Sequence, residues 1–133
     1  MPLLYLDSSA IVKLAKPEAE TDAMGQYSVG DTLWITSDLA RTEVMRAVAL
    51  HQPERLDDAR HVLRNLVLMA LDRDIYDMAG RVQPARLRSL DAIHVAAALS
   101  LGSALQALIT YDKRLAEAAK LNGLAVISPG AQL

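Results

Sequence analysis

The sequence predicts an α/β fold, a three-layer α/β/α sandwich whose central parallel sheet of about five strands is covered by helices on both faces. Three observations carry this. Short apolar runs alternate with helical patterns along all 133 residues, and strands joined by helical crossovers favour parallel pairing. The stretch from Ala92 to Thr110 holds no Asp, Glu, Lys or Arg, as expected of a helix and a strand buried inside such a domain. Acids also stand just past two of the apolar runs, at the strand ends where these sheets take ligands.

The elements follow in order. Leu3-Leu4-Tyr5-Leu6 is a buried strand, and the Asp7-Ser8-Ser9 turn opens a helix over 8–16. A second helix is expected around 18–28 and a strand at Leu33 to Thr36. Helices over 38–51 and 54–66, a strand near 67–71 and a helix at 74–82 lead to a loop containing Pro84. Asp91 opens a helix to about 101, which Gly102 separates from a strand at 105–110. A helix over 113–121 ends at Asn122-Gly123, and a last strand covers Leu124 to Ile127 before Ser128-Pro129-Gly130.

At 133 residues with 52% hydrophobic content, residues 1–133 are expected to form one domain around one core. No cysteine and no secretion signal occur, so the expected location is the cytoplasm. The uncharged stretch 92–110 is long enough to suggest a membrane span, but His94, Ser100, Gly102, Ser103 and Gln106 interrupt it and no membrane is expected. A net charge of -2 excludes a simple electrostatic nucleic-acid binder. Distribution qualifies this, because Arg41, Arg46, Arg81, Arg86, Arg88, Lys113 and Arg114 lie close in sequence to acids and offer a local basic rim.

Four acids, Asp7, Glu43, Asp91 and Asp112, stand against apolar sequence. If strand ends and helix starts bring them together, each pair about 4 Å apart repels by roughly 4 kcal/mol at an effective dielectric near 20. Such a cluster needs a cation, and Mg²⁺ or Mn²⁺ suits oxygen ligands. Each acid also has a plainer explanation. Asp7 can cap the following helix, though Ser8 or Ser9 could do so equally well. Glu43 shares a helix face with Ala40, Ala47 and Leu50, and can pair with Arg46. Asp91 complements a helix dipole, and Asp112 is a ready N-cap. Thr110 can close a strand or bond a site carboxylate. His94 is expected to be a hydrogen-bonded core residue rather than a ligand, and Trp34 a core residue rather than a platform for bases.

The ordered motifs Leu6-Asp7-Ser8-Ser9-Ala10, Thr42-Glu43-Val44, Leu90-Asp91-Ala92-Ile93-His94-Val95-Ala96 and Thr110-Tyr111-Asp112-Lys113-Arg114-Leu115 together resemble the PIN-domain ribonucleases. More closely, they are similar to the VapC branch, the toxins of VapBC toxin-antitoxin pairs, over essentially the whole chain. The resemblance implies a PIN-like fold and a Mg²⁺- or Mn²⁺-dependent endoribonuclease, commonly a homodimer, that acts on RNA and is held inactive by a VapB-like antitoxin. It implies Asp7, Glu43 and Asp91 as core acids, Asp112 as a fourth, and Ser8 and Thr110 as supports for metal-bound waters. In the expected mechanism the metal lowers the pKa of a bound water, which attacks a phosphodiester in line. The antitoxin is expected to bring a basic or amphipathic segment, since an acidic cleft attracts Arg.

Other readings stay open at this level. A PIN nuclease of RNA maturation would carry the same motifs, and an aspartyl-phosphate phosphotransfer or receiver domain would use Asp7 as nucleophile. A binding module would use the acids only as caps and surface pairs.

Overall fold

Because side chains alternate across a strand, Leu4 and Leu6 of β1 (Leu3–Leu6) face one side of the sheet and Tyr5 the other. The structure is a computed structural model in which residues 2–15, 21–25 and 32–133 are described. β1 lies at the centre, paired in parallel with β2 (Leu33–Ser37) on one side and β4 (Leu105–Ile109) on the other. β3 (Val67–Met69) lies outside β2 and β5 (Val126–Ile127) outside β4, so the parallel sheet runs β3-β2-β1-β4-β5.

Helices α1 (Ser8–Ala15), α2 (Thr21–Gly25), α3 (Leu39–His51) and α4 (Leu56–Arg64) cover the face of Leu4 and Leu6. Helices α5 (Arg73–Ala79), α6 (Ser89–Ser100) and α7 (Lys113–Leu121) cover the face of Tyr5. Parallel crossovers are right-handed, so a chain that steps outward from β1 to β3 and then returns to β4 must lay its two sets of helices on opposite faces. The strand order reverses between β1 and β4, and open α/β sheets bind ligands outside the carboxyl ends at that point. Asp7 and Thr110 follow those two strands directly.

The three layers and five parallel strands agree with the sequence expectation, and the differences lie at element ends. β5 starts at Val126 rather than 124 because Leu124 is spent on closing α7. Its N–H donates to the Ala119 carbonyl at 2.9 Å and that of Gly123 to the Lys120 carbonyl at 3.0 Å, with Gly123 at φ 91 where a side chain would be strained. β3 ends at Met69 rather than 71, since Asp72 is the extended N-cap of α5 and accepts from the Ile75 N–H. α4 begins at Leu56, after a 3₁₀ turn over Pro53–Arg55. Of the helix expected around 18–28, the described residues contain Thr21–Gly25, and its remainder lies outside them.

α3 buries Ala40, Val44 and Val48, a stripe at i, i+4 and i+8 that runs one position off Glu43. Leu50, expected on a buried face with Glu43, is 76% exposed. α6 is the central helix of its layer, with Ala92 and His94 through Ala98 all buried. No helix among the described residues is long and apolar enough to cross a membrane.

Candidate active site

Asp7 leaves β1 at the switch point and is 2% exposed. Its Oδ1 accepts from the Ala10 N–H at 2.9 Å and from Ser9 Oγ at 2.7 Å, while Oδ2 accepts from Thr110 Oγ1 at 2.6 Å. Thr110 Oγ1 in turn accepts the Asp112 N–H at 3.0 Å, and Ser9 Oγ accepts the Tyr111 N–H at 2.9 Å. These bonds clip the ends of β1 and β4 together around one carboxylate. Asp7 thus caps α1 while also holding β4, so the cap and the site occupy the same side chain. Burial raises its carboxyl pKa, and the charge of His94 with the bonds from Thr110, Ser9 and Ala10 works the other way.

Glu43 is reached from the opposite helical layer. Its Oε1 lies 2.6 Å from His94 Nε2 and accepts from Ser8 Oγ at 2.7 Å. His94 is 1% exposed, and its Nδ1 lies 2.8 Å from the Tyr5 hydroxyl. Nε2–H donates to Glu43, and Nδ1 accepts from the Tyr5 hydroxyl when the ring is neutral or donates to it when the ring is charged. Burial pushes the Glu43 carboxyl up, but the hydrogen bond and charge of His94, with the Ser8 bond, outweigh it and leave the group below the usual range. The partner is therefore His94, from another layer, and not Arg46 one turn along the helix.

Asp91 sits half-buried in the first turn of α6. Burial raises its pKa first, then the charges of Asp112 and Glu43, against the lowering effect of His94 and Arg88. Asp112 is the N-cap of α7, accepting from the N–H groups of Arg114 at 2.9 Å and Leu115 at 3.2 Å. The four acids thus share one end of the sheet, joined by hydrogen bonds or by mutual repulsion. For Asp112 the two roles separate by mutation. Asp112→Ala is expected to lose about 1 kcal/mol of stability with the cap, whereas Asp112→Asn keeps an equally good cap. A fall in cleavage in Asp112→Asn, with an unchanged melting curve, isolates the charge.

Sequence reasoning named Ser8 and Thr110 beside Asp7. The structure assigns Asp7 to Ser9 and Thr110, and gives Ser8 to Glu43. It also adds the buried Tyr5, whose place on the strand face opposite Leu4 and Leu6 was the available signal. Trp34 packs against the core as expected.

Among the described residues, no three His, Asp or Glu side chains stand close enough together to grip one ion unaided. The donor set nevertheless suits a hard divalent ion. A carboxylate has about four acceptor sites, and Asp7 uses three in the bonds above. Asp91 and Asp112 repel. Mg²⁺ needs only one or two direct carboxylates and keeps waters for the rest.

The PIN domain family matches residues 4–121. Ribonuclease VapC46 of Mycobacterium tuberculosis is 46% identical over 129 residues, 97% of this chain and 99% of its own length. Among solved structures, VapC20 of Mycobacterium tuberculosis superposes with a TM-score of 0.73 at 15% identity, over 95% of this chain and 99% of its own. The toxin-antitoxin complex from Klebsiella pneumoniae gives 0.72 at 18%, over 98% and 99%. The chain belongs to the PIN-domain family and, within it, to the VapC ribonucleases.

Proposed function

We propose that this chain is an endoribonuclease dependent on Mg²⁺ or Mn²⁺, working as a single domain and as the toxin half of a toxin-antitoxin pair. The observation that carries the reading is an acid cluster at the switch point of the sheet that is short of positive charge. Burial raises the Asp7 and Asp91 carboxyls, and neighbouring acids raise Asp91 further. A divalent ion held by Asp7, Asp91 and Asp112, directly or through its waters, would supply that charge, a water of lowered pKa and stabilisation of the attacked phosphate.

The chain's own residues orient the site. Ser9 and Thr110 fix both oxygens of Asp7. Glu43, fixed by His94 and Ser8 and held below the usual carboxylate range, stays ionised and can accept a hydrogen bond from water. The ribonuclease name of the 46% identical relative supports RNA as substrate, and a cytoplasmic location belongs to the same reading. A structural neighbour solved as a toxin-antitoxin complex supports a partner protein, for which the acid cluster would favour a basic or amphipathic VapB-like segment. Pairing of two copies of the chain belongs to the same reading. A phosphotransfer role for Asp7 is disfavoured, because it would leave Glu43 and Asp91 without a role at the same end of the sheet.

Incubating the antitoxin-free protein with total RNA in Mg²⁺, in Mn²⁺ and in EDTA, beside Asp91→Asn, tests the reading. Discrete 5′ ends are expected in the metals only, and not from the variant. Folded protein that cuts nothing in either metal would rule out the nuclease, and cuts without growth arrest on expression would rule out the toxin.

A further inference from the structure

Beside the acid cluster runs a groove of about 610 Å³ between the segment preceding α6 and the α7 helix. Arg86 and Arg88 line it from one side and Arg114 from the other, with Leu87, Ala118 and Leu121 as apolar surface between them. Asp91 lies on its wall, so the groove is continuous with the candidate active site, and Glu117 is the other acid that lines it. All three arginines are exposed. Among the described residues, neither Arg86 nor Arg114 has an ion-pair partner, and Arg88 acts electrostatically on Asp91.

The placement works against local helix stability. α7 opens with Lys113 and Arg114, and cations at a helix start oppose the dipole that its N-cap Asp112 complements. Arg88 is the N-cap of α6 and makes no side-chain cap bond, where Ser, Thr, Asp or Asn would serve better. Local choices that disfavour the fold concentrate at functional sites. Guanidinium groups bind phosphate with paired donors, and the mixed cationic and apolar lining suits a backbone whose bases are unpaired.

We propose that this groove is the track for the phosphate backbone of single-stranded RNA, delivering the strand to the acids at its Asp91 end; the proposal rests on the ribonuclease reading above. Arg86 and Arg114 are positioning residues that touch phosphates away from the cut. Arg88, beside Asp91, couples track and site.

Fluorescence anisotropy of a labelled single-stranded RNA, titrated with full-length protein in EDTA at several salt concentrations, tests it. Each phosphate contact contributes about 0.7 to the slope of log Kd against log salt for single strands. The Arg86→Glu/Arg114→Glu double variant is expected to bind roughly tenfold weaker or worse, with a slope lower by about 1.4. Arg86→Lys/Arg114→Lys is expected to recover most of the slope, and Arg41→Glu/Arg64→Glu, in a separate groove on the other helical layer, to leave binding near that of the native chain. Native-like binding by the double variant overturns the proposal, as does a native chain with no salt-dependent RNA binding. If the double variant instead loses only the binding of a polyaspartate peptide, the groove serves an acidic protein partner and the proposal is also overturned. Binding is read without cleavage, so the two readings separate. A native chain that binds through the groove but cuts nothing supports the track and removes the nuclease.

Discussion

Asp7→Asn is expected to abolish RNA cleavage, by at least about 100-fold, while leaving the fold as stable as the native chain or more so at neutral pH. The activity loss follows from the proposed role of Asp7, since a divalent ion held there would supply several kcal/mol of transition-state stabilisation. The stability effect follows from burial. Asn is isosteric, its oxygen can keep the bonds from Ala10 and Ser9, and its amide can donate to Thr110 Oγ1, whose hydroxyl is free to turn. What disappears is an ionised carboxylate that is 2% exposed.

The sign is set by linkage. The folded pKa of Asp7 lies above its unfolded value, so the native state binds the extra proton between the two. The group therefore favours folding below the ordinary carboxylate range near 3.9, and this contribution is lost as pH rises through the raised folded value. Denaturant unfolding of both proteins in EDTA, from pH 4 to 8, should show the variant gaining on the native chain as pH rises. Parallel curves would count against a buried charge at Asp7, and cleavage within tenfold of native would remove Asp7 from the site.

His94→Ala is expected to cost about 3 kcal/mol of stability. It removes the His94 bond of the buried Tyr5 hydroxyl and strips Glu43 of its strongest partner. An unsatisfied buried group costs about 1–3 kcal/mol, and breaking a buried ionic or hydrogen-bonded pair costs about 3–5. The lower end applies because the Glu43 side chain retains 22% exposure. Tyr5→Phe removes one hydroxyl and is expected to cost about 1–1.5 kcal/mol. A double-mutant cycle between His94→Ala and Glu43→Ala should return a coupling above about 1 kcal/mol, as contacting residues do. A His94→Ala chain within 1 kcal/mol of native would mean that the Tyr5, His94 and Glu43 bonds do not hold the two layers together.

These bonds show where reading along the chain stops. The strands were legible because Leu3–Leu6 and Leu105–Ile109 are apolar runs whose burial is decided over four or five residues. α6 was legible as a central helix because an uncharged Ala-rich stretch cannot sit comfortably in water. Ends were less so, since Leu124 could pair in β5 or close α7, and the Schellman geometry after Gly123 settles it.

By itself the sequence determined the layered α/β plan, the positions of Asp7, Glu43, Asp91 and Asp112 at strand ends and helix starts, and the excess of arginine around residues 81–88. These properties reside in local pattern, and local pattern is what a linear chain displays. Tertiary structure alone decided which groups serve which acid: Thr110 on Asp7 across 103 positions, His94 on Glu43 across 51, Tyr5 on His94 across 89. It also decided that Arg114 faces Arg86 across one groove while Arg41 lies in another. Hydrogen bonds and fields act over a few ångströms in space, and the order β3-β2-β1-β4-β5, with its reversal beside β1, sets which distant residues come within that range.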